Sequence, residues 1–189
     1  MTSAHDAVVQ YPGGLRARFR WAGSGREAEV FALSEAGGIL TDLGELVSSE
    51  PSALCRAELR ADGPVGSWTV RFASPIFDEP AGIAWDTAGL LVVAYGFLTY
   101  GLEARIGTLR WSHRSGTPIL AVFGSPRLDH VLIQAEIETF AIDASGDVVW
   151  RVAHSDVVTE AQLVGGQLIL TSYRGDRVAL DARTGRPSD

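Results

Sequence analysis

The sequence predicts an all-β protein made of about four similar four-stranded antiparallel units, and three observations predict it. Glycines recur at positions 107, 146 and 185, so the two intervals are equal. The same local pattern stands before each of them: Leu102-Glu103-Ala104, Ile142-Asp143-Ala144 and Leu180-Asp181-Ala182. After the first two glycines a tryptophan follows by four positions, at Trp111 and Trp150. Between these marks the chain runs in short β-rich segments broken by Gly, Pro, Asp and Ser, which is how strands joined by tight turns read.

Taken in order, residues 1–66 form a divergent first unit. Segments 15–21 and 28–33 flank Ala22-Gly23-Ser24-Gly25 and read as a hairpin. Segment 35–49 holds Ile39, Leu40, Leu43, Leu46 and Val47, which suits a short helix or an irregular strand. The run from Ala61 through Asp62-Gly63 to Trp68 is a looser copy of the repeat, and Trp21 is a candidate fourth repeat tryptophan. Residues 67–189 carry the clear repeats within what is otherwise a single compact domain. Strands are expected at 117–123, 131–135, 139–143 and 147–152, then at 157–164, 167–173 and 177–181. The pair Gly165-Gly166 is a two-residue hairpin turn.

The acid before each turn has a local explanation. A carboxylate can accept hydrogen bonds from turn N–H groups two or three residues on, with glycine taking the positive φ. Glu103, Asp143 and Asp181 are therefore read as turn caps and not as catalytic groups.

A period of this length, with four strands and one tryptophan per unit, describes propeller blades. The Ala-x-Asp-x-x-Thr-Gly pattern of residues 179–185, with the Gly-x-x-x-Trp continuation at 107–111 and 146–150, resembles the pyrroloquinoline-quinone-type (quinoprotein-like) β-propeller repeat over about residues 60–189. The resemblance implies a small or incomplete β-propeller. It does not extend to the quinone dehydrogenases of that superfamily, which are longer, are usually exported, and use a catalytic aspartate, a metal ion and often a vicinal disulfide. No quinone, metal or other cofactor is expected. The last unit stops at Thr184-Gly185, before the strand that would hold its tryptophan. An open blade edge invites aggregation, so strand 15–21, which ends in Trp21, is expected to close the last blade. The alternative is a homodimer through the open edge.

Composition narrows function. With 16 basic and 23 acidic residues the chain carries −7 at pH 7, and every basic residue is arginine. Nucleic acid is excluded as a partner, because binding it requires a basic surface. The one cysteine, Cys55, permits no internal disulfide and reads as a small buried hydrophobe. The N-terminus shows no signal-peptide pattern, and the apolar stretch 88–98 is too short for a membrane span; a cytoplasmic location is expected. GxGxxG, GxxxxGK[ST], GxSxG, CxxC and HExxH motifs are all missing. His113 and His154 follow repeat tryptophans in neighbouring units, but no third metal ligand has matching spacing.

Blade geometry adds one deduction. The second-to-third turn of each blade and the blade-to-blade loop emerge on the same rim. That rim collects Asp78, Glu79, Phe97, His113, Arg114, Glu136, Glu138, His154, Asp156, Arg174 and Asp176, and its acids outnumber its arginines. Loops on a rigid scaffold are where binding residues usually sit. The expectation is a non-enzymatic interaction module that binds a protein through this acidic rim, such as a neutralising partner of a basic toxin. The alternative is a small-ligand binder or enzyme acting on a sugar or polar metabolite in the central channel, near Trp85 and Tyr95.

Overall fold

The computed structural model describes residues 5–22, 44–48, 53 and 55–188. The strands are β1 (His5–Gln10), β2 (Arg16–Ala22), β3 (Glu45–Leu46), β4 (Cys55–Gly63), β5 (Gly66–Ser74), β6 (Ala81–Trp85), β7 (Leu90–Tyr95), β8 (Leu98–Glu103) and β9 (Leu109–Arg114). They continue as β10 (Ile119–Phe123), β11 (His130–Ala135), β12 (Glu138–Asp143), β13 (Val148–Ala153), β14 (Val158–Val164), β15 (Gln167–Ser172) and β16 (Arg177–Asp181). Their sheets are β1-β2-β4-β5-β3, β6-β7-β8-β9, β10-β11-β12-β13 and β14-β15-β16. Among the described residues all pairings are antiparallel except the short parallel contact of β3 on the outer edge of β5. This is a β-propeller arc of four consecutive units. The expected strands from 117 onward all form within a few residues of their assigned ends. Of the helix or irregular strand considered at 35–49, the described part, 44–48, contains β3; the rest of it, and strand 28–33, lie outside the described residues.

Each sheet is covered by the next, which explains why the middle strands lack polar alternation. In β7 (LLVVAY) every residue is buried. Leu91, Val93 and Tyr95 pack toward the first sheet with Leu59 and Phe72, while Leu90, Val92 and Ala94 pack toward the third with Val131 and Ile133. Leu132 and Ala141 then meet Leu168, Leu170 and Leu180 of the fourth. A strand buried on both faces reads as a continuous apolar run. The other face of the first sheet, where Glu58 is buried, alternates differently. There Arg16, Arg18 and Arg20 stand opposite Asp62, Arg60 and Glu58 in cross-strand register, and Arg18 also pairs with Asp6.

The repeat tryptophans lock one blade to the next. Trp68, on β5 of the first sheet, lies against Gly107 of the second; Trp111 lies against Gly146 of the third, and Trp150 against Gly185 of the fourth. A Cβ at these glycines would fall 2.4, 2.6 and 2.4 Å from ring or Cβ carbons of the tryptophans, and all three glycines have positive φ. No other residue fits such a position without displacing the ring or straining the backbone. The even spacing of the glycines is the sequence trace of this contact. The indole N–H adds a bond across the junction: Trp68 Nε1 donates to Ala104 O at 3.0 Å and Trp111 Nε1 to Ala144 O at 3.2 Å. Trp150 differs, since its Nε1 is buried without a hydrogen-bond partner among the described residues. The matching carbonyl, Ala182 O, instead accepts His130 Nε2–H at 2.7 Å.

Two expectations need correction. Segment 15–21 does not close the last blade: β2 pairs with β1 on one side and β4 on the other, both in the first sheet. The hydrophobic alternation of Ala17, Phe19 and Trp21 is satisfied against Ala57, Leu59 and Tyr95, so β2 is an interior strand. The outer edge of β16 is met by the chain that follows it, with a bridge between Leu180 and Pro187 and Ser188 N donating to Ala179 O at 2.8 Å. Trp21 is likewise not a repeat tryptophan. It sits on the second strand of its sheet and stacks on His5 with ring centroids 5.5 Å apart.

Turn capping holds at two of three positions. Asp143 Oδ1 accepts Ser145 N–H and Asp147 N–H, and Asp181 Oδ1 accepts Arg183 N–H and Thr184 N–H. At the first position the longer glutamate departs from this plan: the Glu103 carboxylate pairs with Arg110 at 2.7 Å, and its backbone carbonyl closes the turn to Gly107 N–H.

Candidate functional site

Both kinds of loop assigned to the acidic rim meet there, because backbone bonds tie them together. Ser115 N–H donates to Phe97 O at 2.9 Å, His154 N–H to Ile137 O at 2.8 Å, and Tyr173 N–H to Val157 O at 2.7 Å. In each case a blade-to-blade loop is fastened to a second-to-third turn. Side chains repeat the device with the same period as the glycines. Asp78 accepts Glu79 N–H and Gly96 N–H, and Asp156 accepts Val157 N–H and Arg174 N–H. Midway between them in the sequence, Thr117 Oγ1 takes the contact from Ile137 N–H at 3.4 Å. The two aspartates are therefore clasps within the scaffold.

The clasps have opposite electrostatics. Burial raises the Asp78 carboxyl above its ordinary value, more than its two backbone donors lower it. Burial pushes Asp156 the same way, but the Arg174 and Val157 N–H groups together with the Arg174 charge hold it below the usual range.

The remaining predicted residues fall into two groups. Glu138 accepts Gly116 N–H at 2.9 Å and pairs with Arg151 at 3.4 Å. His113 lies on Phe140 and its Nε2 accepts from Arg151 at 3.0 Å, which makes it the neutral tautomer. His154 Nε2–H donates to Thr139 Oγ1 at 2.6 Å, and that hydroxyl donates to the buried Gln134 at 2.5 Å. Desolvation depresses both imidazoles, and Arg151 adds to the effect at His113. The two histidines thus serve separate networks, and the described residues hold no group of three or more His, Cys, Asp or Glu that could bind a metal. Phe97 is half-buried under the Arg114 guanidinium, 5.3 Å from its ring centre. Glu79, Arg174 and Asp176 are exposed and Glu136 is half-buried.

Sequence reasoning missed the apolar side of this rim. Tyr173 is 80% exposed and Phe77 55%, and Ile137, Val157 and Leu120 stand out to solvent in or beside the same loops. The available signal was a large apolar residue in a turn otherwise made of Asp, Glu, Gly and Pro, as in Ile76-Phe77-Asp78 and Ser172-Tyr173-Arg174.

The channel residues separate. Tyr95 is 1% exposed in the core between the first and second sheets, against Phe72, and so lines no channel. Trp85 does line open space: cavities of about 470 and 290 Å³ flank it on the opposite rim. Cys55 is buried and its thiol is pushed up by burial, partly offset by Arg56.

No protein-family model matches this sequence, and no curated protein matches it either. Solved structures do. BamB from Moraxella catarrhalis superposes with a TM-score of 0.52 at 14% identity, covering 98% of this chain and 59% of BamB. The computationally designed Ika8 protein gives 0.50 at 11% identity over 70% of this chain and 45% of that one. A europium-containing methanol dehydrogenase gives 0.44 at 14% identity over 52% and 22%. The chain spans less than two thirds of the length of each of these structures. At 14% identity the likeness to BamB establishes a fold, the β-propeller. None of the helices among the described residues is long and apolar enough to cross a membrane.

Proposed function

We propose that the protein is a non-catalytic interaction module that holds a protein partner on the rim built from Asp78, Ile137, Asp156 and their neighbours. The observation that carries this reading is the set of exposed apolar side chains, Phe77, Ile137, Val157 and Tyr173, on loops already fixed by interloop hydrogen bonds. Aromatic and aliphatic anchors amid polar neighbours are the composition of interface cores, and prefixed loops lose little entropy on binding. Glu79, Glu136 and Asp176 carry no ion pair among the described residues, which favours a basic partner such as a small cationic toxin. We further assign the repeats to the quinoprotein-like type, on the 179–185 motif, and the protein to the cytoplasm, where its lone thiol stays reduced.

The test is capture of a partner from native extract by the full chain. Tyr173→Ser with Phe77→Ser should abolish a stoichiometric capture that Val65→Ser with Ile106→Ser, on the opposite rim, retains. Capture lost only in the second variant would overturn the reading.

A further inference from the structure

We propose that the opposite rim holds a second, small-molecule site beside Trp85, selective for a zwitterion with an apolar or aromatic body, the chemical class of an α-amino acid. Two cavities share Pro12, Ala84, Trp85 and Asp86 as a common wall. The smaller, about 290 Å³ and open to solvent, is lined by Leu15, Val65, Leu90 and Arg105. That volume sits at the lower end of ligand sites, so it admits a small molecule and not a folded partner.

The charges define the ligand. Asp86 and Arg105 face this one cavity, yet they form no ion pair with each other, and no other side chain among the described residues neutralises either. Their spacing is set by the backbone. Gly89 N–H donates to Asp86 O at 3.1 Å, closing the turn that carries the carboxylate, and Ala104 N–H donates to Gly89 O at 2.9 Å, fastening the neighbouring turn that carries the guanidinium. Trp85 is half-buried against the core of the second and third sheets, which holds its indole in place. A ligand ammonium at Asp86 gains the adjacent indole face by cation–π attraction. Its carboxylate meets the fork geometry of Arg105, and its apolar body fills the space between Leu15, Val65 and Leu90. A cation or an anion alone would engage only one of these two charges, both of which stand at the exposed mouth of the cavity.

The probe is L-phenylalanine, added to the 189-residue chain and followed by the indole N–H resonance of Trp85, assigned by its loss in Trp85→Phe. Saturable movement of that resonance is expected, with phenethylamine and 3-phenylpropionate binding at least about tenfold more weakly. Asp86→Asn and Arg105→Gln should each weaken L-phenylalanine about tenfold while leaving the melting temperature unchanged. No movement at about 10 mM, beyond the range where a millimolar site fills, would overturn the proposal. So would equal binding of the three probes, or binding indifferent to both substitutions. The rim variants at Phe77 and Tyr173 should not alter this titration, which keeps failure here distinct from failure of the protein-binding reading.

Discussion

The junction between the second and third sheets and the one between the third and fourth follow one plan with one exchange of parts. At the first, Trp111 supplies both the surface against Gly146 and the hydrogen bond to Ala144 O. At the second, Trp150 supplies only the surface against Gly185, and His130 supplies the hydrogen bond to Ala182 O. The difference shows that steric fit and polar satisfaction are separable duties. The fit is kept at all three junctions, whereas the donor to the matching carbonyl can move to another residue.

The largest expected effect breaks the shared part. Gly146→Ala forces a Cβ to 2.6 Å from Trp111 at φ +92, and should cost about 2–4 kcal/mol in chemical denaturation, combining overpacking with left-handed strain. Gly185→Ala should cost less, because beyond its turn only the pairing around Pro187 remains to be displaced. Equal losses would show that the third junction is as cooperative as the second.

The next effect sharpens the exchange. Trp111→Phe removes the hydrogen bond to Ala144 O and should destabilise by about 1 kcal/mol more than Trp150→Phe, whose indole N–H has no acceptor to lose. His130→Phe should reproduce the missing penalty at the last junction. Indistinguishable Trp111→Phe and Trp150→Phe melting curves would show that the hydrogen bond contributes nothing.

A smaller difference is expected between the clasps. Asp156 lies below its ordinary pKa, so it contributes stability above about pH 4 that is lost as pH falls through its folded value. Asp78 is raised and gains nothing from ionising. Asp156→Asn should therefore lower the neutral-pH melting temperature more than Asp78→Asn, and the gap should close in acid.

The smallest concerns the histidines. His113 and His154 are depressed in the fold, so their contribution is complete above about pH 6.5 and declines as pH falls toward their folded values. The double change to Gln should flatten the melting temperature between about pH 7 and 5.

Where the sequence was legible, one residue had one job. The glycines at 107, 146 and 185 are each fixed by a single neighbouring ring, so their spacing survives as a period. The clasps at 78, 117 and 156 share that period but escaped notice because threonine can take the aspartate's place. The role of segment 15–21 was illegible for another reason. Alternation identifies a strand and its buried face but not its neighbour, and β2 meets its partner β4 only after a long intervening stretch of chain. The candidate binding rim was legible in its acids and not in its apolar anchors. Periodicity marks residues that the scaffold reuses, and the side chains of Phe77, whose ring meets His5, and Tyr173 stand outside those repeated contacts.

Each tryptophan presses on a glycine that lies later in the chain, Gly107 for Trp68, Gly146 for Trp111 and Gly185 for Trp150. During synthesis the direction matters. A unit emerging from the ribosome carries a finished indole platform but cannot cover it until the following unit appears, so order must spread from the first sheet toward the last. Each closure spans only one unit of chain, which keeps its loop entropy low and its rate high for a β protein. Assembly on this plan resembles a zipper more than a collapse.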